Sequence, residues 1–170
     1  VLVADEQEAI DCVRRYLEYF RGADGQPGSD PDTSVLRTVV PENPRRAYDV
    51  RRVIEGIADQ DSVLELRPKF ARSVVTALAK VQGTPVGVLA NQPMFLAGAI
   101  DSPASDKLAR FIQLCDAHDI PMLYLCDTPG LMVGPEVEAT ALVRHSSRIL
   151  NAAINATTPF MTVILRKAYG

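Results

Sequence analysis

The chain has 170 residues and a formal net charge of −3, with 47% hydrophobic and 23% charged residues, values that are typical of a globular protein. The absence of a basic surplus argues against nucleic acid as a partner, and the lack of any uninterrupted run of ~20 apolar residues argues against a membrane helix. The three scattered cysteines, Cys12, Cys115 and Cys126, form neither a disulfide framework nor a zinc motif. We therefore expect a reducing compartment, the cytoplasm or the mitochondrial matrix.

Residues 1–46 have the pattern of a helix followed by a linker. Ile10, Val13, Leu17 and Phe20 recur at helical spacing and predict a helix over residues 5–20. A segment rich in Gly, Pro and Asp follows at 22–32 and is typical of a flexible linker. We predict that this region connects the chain to a preceding half and stays outside the core.

Residues 47–170 alternate between strand and helix patterns. Strands are predicted at 62–66, 74–81, 86–90, 122–126 and 159–166, the second and third forming a hairpin. Helices are predicted at 49–57, after a cap at Ser102 or Ser105, and over Glu136–Ala156. The alternation indicates an α/β domain with a largely parallel sheet. Because the chain stops directly after a strand expected to be buried, the domain is expected to be incomplete at its C-terminus.

The most informative segment is Pro121–Gly134, which reads PMLYLCDTPGLMVG. Its apolar run ends at Asp127 and breaks at Thr128-Pro129-Gly130, which predicts a buried strand that leads into a tight loop with backbone N–H groups available to a ligand. An Asp-Thr-Pro-Gly turn also occurs in GTPases. That interpretation requires an upstream Gly-x-x-x-x-Gly-Lys-Ser/Thr loop, and the chain contains no Gly-Lys-Ser/Thr.

Several short motifs occur in an order that resembles one family. They are VGVLANQP at Val86–Pro93, LAG at Leu96–Gly98, SDK at Ser105–Lys107, DTPG at Asp127–Gly130, RH at Arg144-His145 and VILRKAYG at Val163–Gly170. Together they resemble the carboxyltransferase beta subunits of biotin-dependent acyl-CoA carboxylases, such as the propionyl-CoA, acetyl-CoA and methylcrotonyl-CoA enzymes. The resemblance begins near residue 45 and implies a crotonase-like (ClpP/crotonase) α/β fold, with this chain covering most of the C-terminal, biotin-side half-domain.

The resemblance also implies an activity, the transfer of CO₂ from carboxybiotin to the α-carbon of an acyl-CoA. A backbone oxyanion hole would stabilise the biotin ureido oxygen. No Ala-Met-Lys-Met biotin-attachment motif is present, so biotin is expected on a separate domain or subunit. The implied partners are a biotin carboxyl carrier, a biotin carboxylase subunit and further copies of the chain in a homo-oligomer.

The resemblance assigns two groups of site residues. The oxyanion region would be formed by the backbone of Gly130, Leu131 and Gly170. The biotin-binding region would include Asn91, Gln92, Pro93, Ala97, Gly98, Thr128, Pro129 and Gly134. Asn91–Pro93 could equally serve as loop scaffolding. Since the family's principal donors follow the position of Gly170, the chain by itself is expected to be inactive.

Other residues allow plainer interpretations. Asp127 is expected to accept hydrogen bonds from N–H groups of its own loop, and His145 to be a packing residue rather than a catalyst. Arg166-Lys167 is expected at a strand end, where it would serve solubility or subunit contacts. Two rival functions remain open: a non-catalytic assembly fragment of the same fold, and a crotonase-fold acyl-CoA decarboxylase or hydratase.

Overall fold

The first helix is part of the folded domain. The computed structural model describes residues 3–21 and 28–169. Helix α1 spans Glu6–Glu18 and begins where the Asp5 carboxylate accepts a hydrogen bond from the Glu8 N–H at 2.8 Å. Just after the helix, Tyr19 is buried in the main core and donates its hydroxyl to the Ser62 carbonyl. The helix is therefore confirmed, but the expectation that residues 1–46 stay outside the core is wrong at Tyr19 and at Val39, which are both buried core residues. The boundary at residue 46 stays a prediction.

The five strands form one mixed sheet in the order β1-β2-β3-β4-β5. The strands are β1 Leu64–Leu66, β2 Val74–Val81, β3 Thr84–Asn91, β4 Met122–Thr128 and β5 Phe160–Ala168. The first three are antiparallel, as the predicted hairpin requires, and β3, β4 and β5 are parallel. The predicted antiparallel pairing of β2 and β3 is thus confirmed, as the tight turn at Gln82-Gly83 requires, whereas the expectation of a largely parallel sheet is wrong for β1, which is also antiparallel to its neighbour β2.

The remaining helices are α2 Arg51–Ile57, α3 Ser102–Ala117, α4 Pro135–Glu138 and α5 Leu142–Asn155, with short 3₁₀ turns at Thr33–Arg37 and Leu96–Gly98. The cap of α3 is Asp101, whose carboxylate accepts from the Ala104 N–H at 2.9 Å, and not Ser102 or Ser105. The long helix predicted over Glu136–Ala156 is broken at Ala141, where φ is 59°. A left-handed residue cannot continue a right-handed helix, so α4 and α5 are separate.

The two faces of the sheet carry separate cores. Neighbouring residues of β2 alternate between them, with Val74 and Leu78 in one cluster and Val75 and Ala79 in the other. The first cluster contains the apolar side of α3, and the second contains the apolar side of α2. The sheet is thus covered by helices on both faces. The loops at the carboxyl ends of its parallel strands are therefore the part of the sheet most open to a ligand.

Strand β5 is more exposed than its sequence suggests. Met161 and Ile164 are 65% and 61% exposed, whereas the apolar run predicts a buried strand. The prediction is wrong within this chain because β5 is the last strand of the sheet and is paired on one side only, with β4. In residues 3–21 and 28–169, no helix is long and apolar enough to span a membrane.

Candidate functional site

The candidate site lies where the parallel strands end. Strand β3 ends at Asn91, β4 ends at Thr128, and β5 approaches its end at Arg166. Because β3, β4 and β5 are parallel, their carboxyl ends meet at one edge of the sheet. This edge carries the 128–134 loop.

Asn91 holds three parts of this edge together. Its side-chain oxygen accepts from the Tyr124 hydroxyl at 2.8 Å and from the Asp127 N–H at 3.3 Å. Its amide nitrogen donates to the Gly98 carbonyl at 2.9 Å. The side chain is fully buried, and its bonds all lie within the protein. These contacts favour the scaffolding alternative for Asn91, while direct contact with biotin stays a prediction.

Gln92 and Pro93 are also buried. The Gln92 amide nitrogen donates to the Asp49 carboxylate at 2.6 Å, and its side-chain oxygen accepts from the Val50 N–H at 3.4 Å. Gln92 thus links β3 to the start of α2. Among the described residues, its side chain forms no hydrogen bond with the 128–134 loop.

The Leu96–Gly98 turn packs directly against the end of β4. Leu96, Ala97 and Gly98 all have positive φ, at 48°, 51° and 81°. A Cβ at Gly98 would lie 2.5 Å from the Asp127 carbonyl oxygen, so only glycine permits this approach. The side chain of Ala97 is exposed beside it.

The 128–134 loop is fixed at its base. The Gly130 N–H donates to the Thr128 hydroxyl oxygen at 3.0 Å, and the Gly130 carbonyl accepts from the Ile100 N–H at 3.1 Å. The Met132 N–H donates to the Ile100 carbonyl at 2.9 Å, which completes a short parallel bridge between Leu131 and Ile100. Thr128 is buried, Pro129 is exposed, and Gly134 has a φ of 130° at the start of α4.

This bridge leaves one backbone donor facing away from it. In such a parallel bridge, the flanking residues use their N–H and carbonyl groups, so those of the central residue point to the other side. The Leu131 N–H accordingly has no acceptor among the described residues, and Leu131 as a whole is 45% exposed. The Gly130 N–H is already engaged with Thr128. Of the two expected donors in this loop, Leu131 is therefore the available one. Gly170 lies outside the described residues.

A buried ion pair lies beneath the loop. The Asp127 carboxylate is fully buried, and its Oδ2 accepts from Arg166 Nε at 3.1 Å and from the Tyr48 hydroxyl at 2.8 Å. Burial, followed by the neighbouring carboxylate, raises the pKa of Tyr48 well above its ordinary value. The expectation that Asp127 bonds to its own loop is wrong. Arg166 lies near the end of β5, as expected, but its side chain is only 14% exposed, so a role in solubility is wrong for it, and the alternative of subunit contacts stays a prediction. A salt bridge across strands stabilises the buried Oδ2 of this carboxylate more strongly than neutral loop N–H groups would.

His145 lies away from this edge, on α5. Its Nδ1 is 2.9 Å from Asp106 Oδ2, and Arg148 Nη1 is 2.7 Å from Asp106 Oδ1. Burial raises the pKa of Asp106, but its contacts with His145 and Arg148 outweigh this and hold that pKa below the ordinary value. The contact joins α5 to α3, which agrees with a packing role. No group of three or more metal-ligating side chains occurs within the described part of the chain.

Sequence patterns alone missed Tyr48 and Arg166. Tyr48 precedes Asp127 by 79 residues, and nothing local marks the two as neighbours. The signal available for Arg166 was a charged residue directly after the apolar run of β5, whose burial would require an acceptor.

Comparison with known proteins gives a consistent result along the whole chain. The family model described as "Carboxyl transferase domain" matches residues 1–170. The propionyl-CoA carboxylase beta chain of Roseobacter denitrificans is 43% identical over 174 residues, which are 98% of this chain and 34% of that protein. The chain spans about a third of the length of the curated relatives it matches.

Solved structures agree in fold. A single-chain, multi-domain long-chain acyl-CoA carboxylase superposes with a TM-score of 0.96 at 46% identity, covering 100% of this chain and 17% of that one. The transcarboxylase 12S subunit, described as a hexamer with hydrolysed methylmalonyl-CoA bound, gives a TM-score of 0.92 at 39% identity and covers 99% of this chain and 34% of that one. These likenesses confirm the crotonase-like α/β fold.

Proposed function

We propose that this chain, which belongs to the carboxyl transferase domain family, is the biotin-side part of a carboxyltransferase that moves CO₂ from carboxybiotin to the α-carbon of an acyl-CoA. The observation that carries the proposal is the unpaired backbone N–H of Leu131. The residues on either side of it, Gly130 and Met132, are both fixed by hydrogen bonds to Ile100. A donor of this kind suits an oxygen that becomes negative during a reaction.

The residues at the carboxyl ends of β3, β4 and β5 fit a biotin ureido group in one respect: the Leu131 N–H is a donor for its oxygen. Carboxybiotin, when bound, would supply the CO₂ and present a ureido oxygen that carries negative charge once the CO₂ has left. The Leu131 N–H would bind that oxygen. The Ile100 bridge and the Thr128–Gly130 contact would hold the donor in place beforehand, so little reorganisation is required during the reaction.

The other site residues act in this proposal through the loop and its surroundings. Asn91 and Gly98 fix the position of the Asp127 backbone, from which the loop departs. Ala97, Pro129 and Gly134 would border the biotin ring, and Gly170 would contribute a second donor. Gln92 and Pro93, which directly follow β3, would hold the end of this strand in place.

The proposal extends to partners and location. Biotin would arrive on a biotin carboxyl carrier domain or subunit, charged by a biotin carboxylase subunit, and the acyl-CoA would be the second substrate. The intact protein would be a homo-oligomer, as the transcarboxylase 12S relative is in its hexamer assembly. We place it in the cytoplasm, with the mitochondrial matrix as the alternative.

The reverse half-reaction tests the activity. The full-length natural protein is incubated with free biotin and a panel containing malonyl-CoA and methylmalonyl-CoA, and loss of the acyl-CoA carboxyl group is followed with and without biotin. The proposal predicts biotin-dependent decarboxylation of at least one acyl-CoA. The 170-residue chain alone serves as a control that is expected to be inactive.

The rival functions give different results in the same assay. Decarboxylation at a rate that is independent of biotin, or hydration of an enoyl-CoA, would favour the crotonase-fold decarboxylase or hydratase. No turnover with any acyl-CoA by a folded protein would favour the non-catalytic fragment. Either result would overturn the proposed function.

A further inference from the structure

The guanidinium of Arg166 joins three separate segments beneath the candidate site. Its Nε and Nη2 each lie 3.1 Å from Asp127 Oδ2, and its Nη1 donates to the Arg46 carbonyl at 2.8 Å. Its carbon centre also lies 5.1 Å from the ring centre of Tyr48. The Arg166 side chain is only 14% exposed and the Asp127 side chain is fully buried.

These contacts lie where the backbone pairing of β4 and β5 is irregular. Cys126 pairs with Ile164 and Thr128 pairs with Ala168, so β4 advances two residues while β5 advances four. Asp127 and Arg166 lie inside this bulge. The regular hydrogen-bond ladder is interrupted between Cys126 and Thr128 and resumes at Thr128. The ion pair between Arg166 and Asp127 connects the two strands across this interruption.

The bulge is also the point from which the site loops depart. The 128–134 loop with the Leu131 N–H follows Asp127 directly, and the Tyr169 N–H donates to the Thr128 carbonyl at 3.2 Å beyond the bulge. The Arg46 carbonyl adds the segment that precedes α2 to the same cluster. One side chain therefore links that segment, the loop and the end of β5.

We propose that Arg166 is a positioning residue, whose guanidinium ties Asp127 to the Arg46 carbonyl and thereby sets where the Leu131 N–H lies relative to the end of β5. This inference rests on the proposed function, since it concerns the geometry of the same site. Arg166 itself does not touch a substrate. Lysine cannot replace it, because the planar guanidinium serves two acceptors at fixed angles and an ammonium group does not.

One feature of Asp127 agrees with a positioning role. Its Oδ1 is buried and has no hydrogen-bond partner among the described residues. A carboxylate kept only for stability would be expected to satisfy both oxygens when buried. Here the Oδ2 side alone receives Arg166 and Tyr48, which orients the carboxylate toward β5 and the segment before α2.

The test uses the full-length natural protein in the biotin-dependent assay above. Arg166→Ala is expected to lower kcat roughly 100-fold, because misplacing a reacting group by about 1 Å has an effect of that size. The KM for the acyl-CoA should stay within about twofold, and added guanidinium at millimolar concentration should restore kcat at least about tenfold. Arg148→Ala is the matched control, since it removes another arginine–aspartate pair outside the cluster and should leave kcat unchanged.

Arg166→Lys keeps the positive charge and is the replacement test variant if Arg166→Ala does not fold. A kcat lowered at least about threefold in folded Arg166→Lys supports the inference. An unchanged kcat in either folded variant overturns the inference. A loss of activity also overturns it if guanidinium fails to restore the activity and if the loss only follows the loss of folded protein, measured by thermal denaturation. An inactive wild-type protein would instead refute the proposed function, so the two failures are distinguishable.

Discussion

The close approach of the Gly98 backbone to Asp127 predicts that Gly98→Ala destabilises the protein in two ways, by steric overlap and by backbone strain. Gly98 has a φ of 81°, and a Cβ there would lie 2.5 Å from the Asp127 carbonyl oxygen and 3.2 Å from the Asn91 Cβ. Ordinary contact begins at 3.4 Å, so Gly98→Ala forces a displacement of about 0.9 Å at the residue from which the 128–134 loop departs. Neither neighbour can yield freely, because one is backbone and the other is the base of the buried Asn91 side chain.

The expected cost has two parts. Placing alanine in the left-handed region costs about 1–2 kcal/mol, and overpacking a fixed interior adds about 1–3 kcal/mol. Gly98→Ala should therefore lower the free energy of unfolding by about 3 kcal/mol. Because the displaced carbonyl belongs to Asp127, the fraction that folds should also show a lower kcat.

Gly134→Ala is the matched control for this substitution. Gly134 also has a positive φ, of 130°, but a Cβ there meets no atom within 4 Å. It should therefore show only the cost of strain, about 1–3 kcal/mol. Urea denaturation of the wild-type protein and both variants measures the difference. If Gly98→Ala destabilises by no more than the ~1–2 kcal/mol of left-handed strain alone and retains the wild-type kcat, the close approach at Asp127 does not matter and the reasoning is refuted.

Three further predictions concern residues outside the site. Lys107 is 2% exposed and donates to four backbone carbonyls, and burial lowers its pKa to about 8. Because the unfolded chain then binds more protons between about pH 8 and 10.5, the free energy of unfolding of the wild type relative to Lys107→Met should rise by roughly 1–2 kcal/mol across that range in urea denaturation. A flat or falling difference would contradict the shift. A Cβ at Gly87 would lie 2.3 Å from Cys115 Sγ, so Gly87→Ala should destabilise the protein by about 1–3 kcal/mol, and less in a Cys115→Ala background; equal costs in both backgrounds would exclude this clash. His145→Ala should cost at most about 1 kcal/mol and leave kcat unchanged, because its contact with Asp106 is partly exposed to water; a loss of activity per folded protein would restore His145 as a catalytic candidate.

Local patterns predicted much of the fold. All five strands and the helices α1, α2 and α3 follow from periodicity and turn residues, because such signals are set by neighbours in sequence. The break at Ala141 and the exposure of β5 did not follow. A left-handed alanine has no local signature, and exposure depends on which strands are neighbours rather than on the residues of the strand itself.

The site was predicted unevenly for a related reason. The loop after Asp127 and the glycine at 98 carry turn signals that can be recognised in sequence. The availability of the Leu131 N–H depends on a bridge to Ile100, and the role of Arg166 depends on partners 39 and 120 residues away. Such contacts between distant segments exist only once the chain has folded.

The most direct test of the central claim removes one atom group. Replacing Leu131 by its α-hydroxy acid in the full-length natural protein converts the amide to an ester and deletes the N–H while keeping the side chain. The same replacement at Met132, whose N–H donates to the Ile100 carbonyl, is the matched control because both changes weaken the same bridge.

If the Leu131 N–H stabilises the developing charge, its ester should lower kcat of biotin-dependent decarboxylation by about 10²–10³-fold, with little change in the KM for acyl-CoA. The Met132 ester should lower stability by about 1 kcal/mol and retain kcat. A Leu131 ester that retains kcat within about threefold, or that is no worse than the Met132 ester, would contradict the account.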